Sequence, residues 1–375
     1  MDFVQFLPEL LKGITTLTLG NVLMILVGGV LIALAIIKKY EPILLLPIGF
    51  GCLLANIPQS GMTEGEGLFS LLYAVGISTE LFPLLIFIGV GAMIDFSPLM
   101  AQPRMVLLGA AGQIGIFGTL ILATLLGFPL NEAASIGVIG AIDGPTSIFV
   151  SSQLAPRLLA PIAVAAYSYM SLVPIIQPPL MRLMTTKKER RIRMVYAPRP
   201  VSRRARILFP VVITLVVGLL MPPALPLISM LMLGNLMRES GVVDGLSKSA
   251  QNEIANVATL FLGVTIGSTM SASTFLVWDT LSILVLGLVA FALDTVAGLL
   301  LGKVMTVLSR GTINPLLGAA GISAFPMAGR LVAKMAQDED LDNYLLMHAM
   351  GANTAGQLAS VIAGGVLLAL VSGSL

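Results

Sequence analysis

The chain has 375 residues, 57% of them hydrophobic and only 11% charged, with a mean hydropathy of +0.98 and a net charge of +2. Soluble domains carry about 25% charged residues, so this composition excludes a water-soluble globular fold and points to an integral membrane protein. The lone Cys52 and the lone His348 exclude a disulfide scaffold, a zinc site and Cys/His nucleophilic catalysis. Carboxylates, hydroxyls, amides and guanidinium groups must carry any chemistry.

In chain order, residues 1–19 contain Asp2, Glu9 and Lys12 and no small-residue cleavage site. They read as an interfacial amphipathic segment rather than a cleavable signal peptide. Apolar stretches of spanning or near-spanning length then recur to the C-terminus. They predict an all-α polytopic membrane protein with about ten to eleven transmembrane helices, some of them broken, because a helix satisfies its own backbone in lipid. Residues 20–186 form a first membrane repeat, 187–206 a basic loop and 207–375 a second repeat. Ten Lys or Arg residues lie between Arg182 and Arg206, against the single acid Glu189. Such an excess places the loop in the cytoplasm; it also suits an acidic docking partner, although topology alone accounts for it.

The two halves share ordered matches. Leu107-Leu-Gly-Ala-Ala-Gly112 recurs letter for letter as Leu316-Leu-Gly-Ala-Ala-Gly321, and Leu46-Pro47 to Asn56 matches Leu225-Pro226 to Asn235. Phe87-Ile-Gly-Val90 matches Phe261-Leu-Gly-Val264, and Gly140-Ala-Ile-Asp143 matches Gly351-Ala-Asn-Thr354. Matches kept in order argue for duplication. The span Asn21–Ile37 ends at Lys38-Lys39, whereas Ile207–Leu220 begins at the basic loop. Corresponding helices therefore cross in opposite directions, an inverted repeat with a site where two broken helices meet, near Asp143 and near Asn353.

Asp143 is the most informative residue. Val138-Ile-Gly-Ala-Ile-Asp143-Gly-Pro-Thr146 sets a carboxylate in an apolar run among helix breakers. An intramembrane carboxylate costs at least ~2.5–3.5 kcal/mol on insertion scales and marks function. Interrupted backbone at membrane depth is tolerated where it lines a cavity. Asn314, Ser323 and Asn353 lie in two further stretches rich in glycine or proline, and their neutral oxygens with one carboxylate suit a hard monovalent cation. Interhelical hydrogen bonding is the alternative use of these amides and hydroxyls. Arg330 suits bidentate capture of a carboxylate or serves as a snorkelling edge residue. Tyr167 and Tyr169 suit a proton relay or an interfacial belt. Asp294 is the one other acid deep enough to rival Asp143, and it lacks breakers. These features fit a sodium-coupled organic-anion symporter or a sodium/proton antiporter as well as an ion-pumping enzyme subunit.

Five motifs in order, Gly140-Ala-Ile-Asp143-Gly-Pro-Thr146, Ala165-Ala-Tyr-Ser-Tyr169, Asn314-Pro-Leu-Leu-Gly318, Ser323-Ala-Phe-Pro-Met-Ala-Gly-Arg330 and His348-Ala-Met-Gly-Ala-Asn353, closely resemble the membrane β subunit of the biotin-dependent, sodium-pumping decarboxylases. The resemblance runs from about residue 20 to the C-terminus. It implies decarboxylation of carboxybiotin, with sodium export and proton uptake, in a complex with a biotin carrier, a carboxyltransferase (α) subunit and a small membrane-anchor subunit. It further implies a trimeric, elevator-like scaffold and core in the cytoplasmic (inner) membrane. By resemblance, Asp143, Asn314, Gly318, Ser323 and Asn353 hold sodium, Asp143 exchanges it with a proton, Tyr169 joins in proton delivery and Arg330 holds the carboxybiotin carboxylate. Ala352, where oxaloacetate members are expected to carry proline, and a shorter N-terminus point to the acyl-CoA members.

Overall fold

The computed structural model describes residues 11–195 and 201–373, so most of the expected interfacial segment and part of the basic loop lie outside the described residues. Among the described residues the secondary structure is helical, without strands. In the first half α1 (Leu19–Ala33) starts on a reciprocal Thr18–Asn21 cap. α2 (Pro42–Ala55) starts on a proline whose missing N–H is one of the helix-end orphans. Then come α3 (Leu81–Met93), bent by 56° from the helical stretch Leu68–Ile77, and α4 (Met105–Ala111) with α5 (Ile114–Leu125). α6 (Leu130–Gly137) and α7 (Gly144–Leu154) flank the Asp143 break, and α8 (Leu159–Met184) closes the half.

The second half repeats this order. α9 (Arg203–Leu220), α10 (Leu225–Ser240), α11 (Ala255–Ser268) and α12 (Trp278–Leu308) precede a tight turn of helix, Pro315–Gly321, followed by α13 (Met327–Glu339) and α14 (Leu346–Ser372). Each half packs on the other reciprocally: α2 on α11 and α10 on α3, α8 on α12 and α14 on α4. Two matched asparagines show the exchange in detail. Asn56 Nδ2 donates to the Met270 carbonyl just past α11 (2.7 Å), and Asn235 Nδ2 donates to the Ile94 carbonyl at the end of α3 (2.9 Å). Each satisfies a helix C-terminus of the other half.

One expectation is sharpened and another changes. Among the described residues, five continuous helices are long and apolar enough to span a membrane by themselves, six if the bent pair is one span, so the rest of the expected ten to eleven crossings would have to be broken or shorter ones. The apolar letters run on, but the backbone is cut into pieces such as the 14-residue α2 and the 8-residue α6. The second break lies at Ile322–Pro326, between the Pro315–Gly321 turn and α13, and Asn353 sits inside the continuous α14. The identical hexapeptides are therefore not equivalent in the element order. They face each other: a Cβ on Gly112 would lie 2.3 Å from the Gly321 carbonyl oxygen. Both stretches use small residues because two backbones touch there.

The basic loop is fastened to the acidic run at the end of α13. Arg190 Nε donates to Glu339 (2.8 Å), and Arg193 forms a two-pronged pair with Asp340 (2.7 Å at both nitrogens). These internal pairs satisfy two of the charges that suited an acidic docking partner.

Candidate functional site

The chain reverses at Ile142, which takes a left-handed conformation (φ 53°) although it is β-branched and fully buried. Such strain costs about 1–3 kcal/mol and gathers at functional positions. It delivers Asp143 as the N-cap of α7, where the side chain meets the N-terminal end of a helix dipole. Asp143 is buried, and one of its oxygens collects three donors. Thr146 Oγ1 and Gln357 Nε2 each donate to Oδ2 at 2.7 Å, and Ser360 Oγ donates at 3.0 Å. Among the described residues Oδ1 accepts only the longer Thr146 N–H bond, 3.4 Å. All these partners are neutral, and among the described residues no cationic side chain pairs with the carboxylate. A buried carboxylate without a counter-charge is costly, so the pocket is suited to take up a proton or a monovalent cation.

A second set of oxygens adjoins the first at the other break. Ser323 Oγ donates to the Ala141 carbonyl (2.7 Å), tying the two breaks together, and Asn353 Nδ2 donates to the Ile322 carbonyl (2.7 Å). Gln113, between α4 and α5, donates to the Gly109 carbonyl (3.1 Å) and lies 3.5 Å from the carbonyls of Gly321 and Gly356. The side-chain oxygens of Asn353 and Gln113 are buried without a partner among the described residues. Orphaned acceptors beside a cluster of carbonyls are what a hard cation would use.

The expected residues are not all in one place. Asp143, Ser323 and Asn353 line the two breaks. Asn314 is used elsewhere: its amide donates to the carbonyls of Arg190 (3.0 Å) and Ile192 (2.9 Å), its oxygen accepts Leu316 N–H (3.0 Å), and it thereby holds the basic loop. Gly318 meets Gly298 of α12 at a backbone crossing. Tyr169 donates its hydroxyl to the Leu284 carbonyl. Tyr167, by contrast, lays its ring on Gly144: a Cβ there would fall 2.0 Å from the ring. Arg330 is exposed and lines a separate cavity of about 460 Å³ with Asp95, Phe325, Pro326, Met347 and Met350.

Thr146, Gln357, Ser360 and Gln113 are site residues beyond those expected from the sequence. A signal existed for two of them. Asn353, Gln357 and Ser360 fall at i, i+4 and i+7, a polar stripe along an otherwise apolar helix that faces both breaks.

Residues 20–371 match the family model of the Na+-transporting oxaloacetate decarboxylase beta subunit. The chain belongs to this family. It is 52% identical to the glutaconyl-CoA decarboxylase subunit beta of Acidaminococcus fermentans, over 99% of both chains. It is 53% identical to the methylmalonyl-CoA decarboxylase subunit beta of Veillonella parvula, over 96% of each. Identity to the oxaloacetate decarboxylase beta chain of Klebsiella pneumoniae is 47%, over 98% of this chain and 99% of the relative. As a member of the decarboxylase beta-subunit family, the chain carries its buried carboxylate among neutral donors, within a helical membrane fold.

Proposed function

We propose that this chain decarboxylates carboxybiotin presented by a biotin carrier subunit and couples that step to sodium export and proton uptake across the cytoplasmic membrane. The observation that carries the reading is Asp143: a buried carboxylate at a helix break, served only by neutral donors, in a chain that matches the decarboxylase beta-subunit family over residues 20–371. Asp143 would hold sodium or a proton, one excluding the other. Ser323 and Asn353, with the unpartnered oxygen of Gln113, would provide neutral oxygens beside it; Asn314 and Gly318, by family resemblance, would contribute to sodium binding. Tyr169 would take part in proton delivery, with Tyr167 nearer the carboxylate, and Arg330 would hold the carboxylate of carboxybiotin.

Residues 20–186 and 207–375 would form two inverted repeats that together make an elevator-like scaffold and mobile core. A trimer of this chain would work with a carboxyltransferase subunit and a small membrane-anchor subunit. The resemblance to the glutaconyl-CoA and methylmalonyl-CoA relatives favours an acyl-CoA as the substrate of the carboxyltransferase. Moving one charge against 100 mV costs ~2.3 kcal/mol, and coupling requires that the exposed side of the site depend on which ligand is bound.

Solubilising native membranes in mild detergent and passing them over monomeric avidin tests the partnership. Elution of this chain with biotin, together with sodium-dependent decarboxylation in the eluate, is the expected result. A chain found only in the flow-through, under conditions that preserve the complex, favours a stand-alone sodium-coupled transporter.

A further inference from the structure

Arg330 and Asp95 line the same cavity, and no ion pair joins them among the described residues. Asp95 Oδ1 accepts the N–H of Ser97 (2.8 Å), which holds the side chain on the short connection after α3. Among the described residues its Oδ2 has only the Arg238 guanidinium, at 4.0 Å, the outer limit of an ion pair. The remaining wall is apolar and partly flexible, with Phe325, Pro326, Met347 and Met350. A cation and an anion that share a cavity without neutralising each other select an occupant with an acceptor for one, a donor for the other and an apolar body.

An N-carboxylated cyclic urea fused to a thioether ring has that pattern. Its carboxylate and ureido carbonyl are acceptors, its second ureido nitrogen carries the one N–H donor, and its bicycle and aliphatic arm are apolar. We propose that Asp95 is a substrate-binding residue that accepts the free ureido N–H of carboxybiotin while Arg330 engages the carboxylate, an inference that rests on the reading of this chain as a carboxybiotin decarboxylase. In the reaction the N–C bond to the carboxyl carbon breaks and CO2 leaves. The electron pair stays on that nitrogen, which takes a proton; Asp95 donates none and ends unchanged. Its part is to fix the ring in one orientation, so that the carboxylated nitrogen faces Arg330.

The test uses the intact complex, assembled with its carrier unbiotinylated so that the cavity is accessible, and measures binding of radiolabelled biocytin and of its derivative methylated at both ureido nitrogens, which has no ureido N–H left to donate. Asp95→Ala is expected to weaken biocytin binding about tenfold or more, the range for a hydrogen bond to a charged group. It should weaken the methylated ligand no further than methylation already does, because the partner of Asp95 is then gone. Sodium-dependent thermal stabilisation of the variant should match that of the parent, which separates loss of the contact from loss of the fold. Unchanged biocytin affinity in Asp95→Ala, or equal losses for both ligands, would overturn the inference alone. Failure of the parental complex to bind biocytin would sink the carboxybiotin reading and this inference with it.

Discussion

At the scale of single residues, the carboxylate of Asp143 is held by three donors on one oxygen, and two of them come from α14. Asp143→Asn keeps the shape and removes the charge. The variant is expected to fold, to lose sodium-dependent decarboxylation by about a hundredfold or more, and to show this in turnover at saturating sodium; retained pumping would overturn the central role. Gln357→Leu removes one charge-assisted bond, an interaction of about 1.5–3 kcal/mol. The sodium concentration for half-maximal turnover should rise roughly tenfold or more, with Ser360→Ala giving the smaller change because its bond is longer. Asp143 is legible in the sequence because an acid beside proline and glycines in an apolar run is too costly to keep for packing alone. Gln357 is less so, because the polar stripe it shares with Asn353 and Ser360 does not say what it faces until the helix sets it opposite the break. Asn314 misleads for the same reason: its motif is as breaker-rich as that of Ser323, yet its amide spans two loop carbonyls.

At the scale of elements, the site exists because two breaks are pressed together by close backbone crossings. Gly318 and Gly298 meet where the turn Pro315–Gly321 crosses α12, and a Cβ on Gly318 would lie 1.9 Å from the Gly298 carbonyl oxygen. Gly318→Ala must push these segments apart, an overpacking cost of about 1–3 kcal/mol. The expected outcome is a lower melting temperature in detergent alongside lower activity. An unchanged melting temperature with weaker sodium dependence would instead assign the Gly318 carbonyl to the ion. Duplication is readable from pairs such as Asn56 and Asn235, whose letters match because their jobs match. The pair Leu107–Gly112 and Leu316–Gly321 misleads, since its equal letters reflect two backbones in contact and not two copies of one element. Periodicity and composition register small residues but cannot say whether they are equivalent or merely adjacent. The same limit placed the second break at Asn353, whereas the backbone breaks at Ile322–Pro326.

At the scale of the whole molecule, the basic segment and the acidic run at the end of α13 act as a clasp between the end of the first half and the body of the second. Hydrogen bonds from Arg190 hold the carboxyl of Glu339 below its ordinary value of 4.5, and those from Arg193 hold Asp340 below its ordinary 3.8. A carboxylate whose folded value is depressed binds protons more readily in the unfolded chain. The clasp therefore contributes its full stability above the ordinary values and loses it as pH falls through the depressed ones. Thermal unfolding of the parent and of a Glu339→Gln, Asp340→Asn double variant, compared across pH, measures the effect. The variant should melt lower at pH 7, and the difference should shrink below about pH 4 as the parental carboxylates themselves become protonated. Because Arg193 is exposed and both carboxylates are partly open to solvent, raising the ionic strength at pH 7 should narrow the gap as well. A gap that persists unchanged into acid would mean that the substitutions act through packing around Arg190, whose guanidinium also donates to the Thr185 carbonyl, and not through the charges of the clasp.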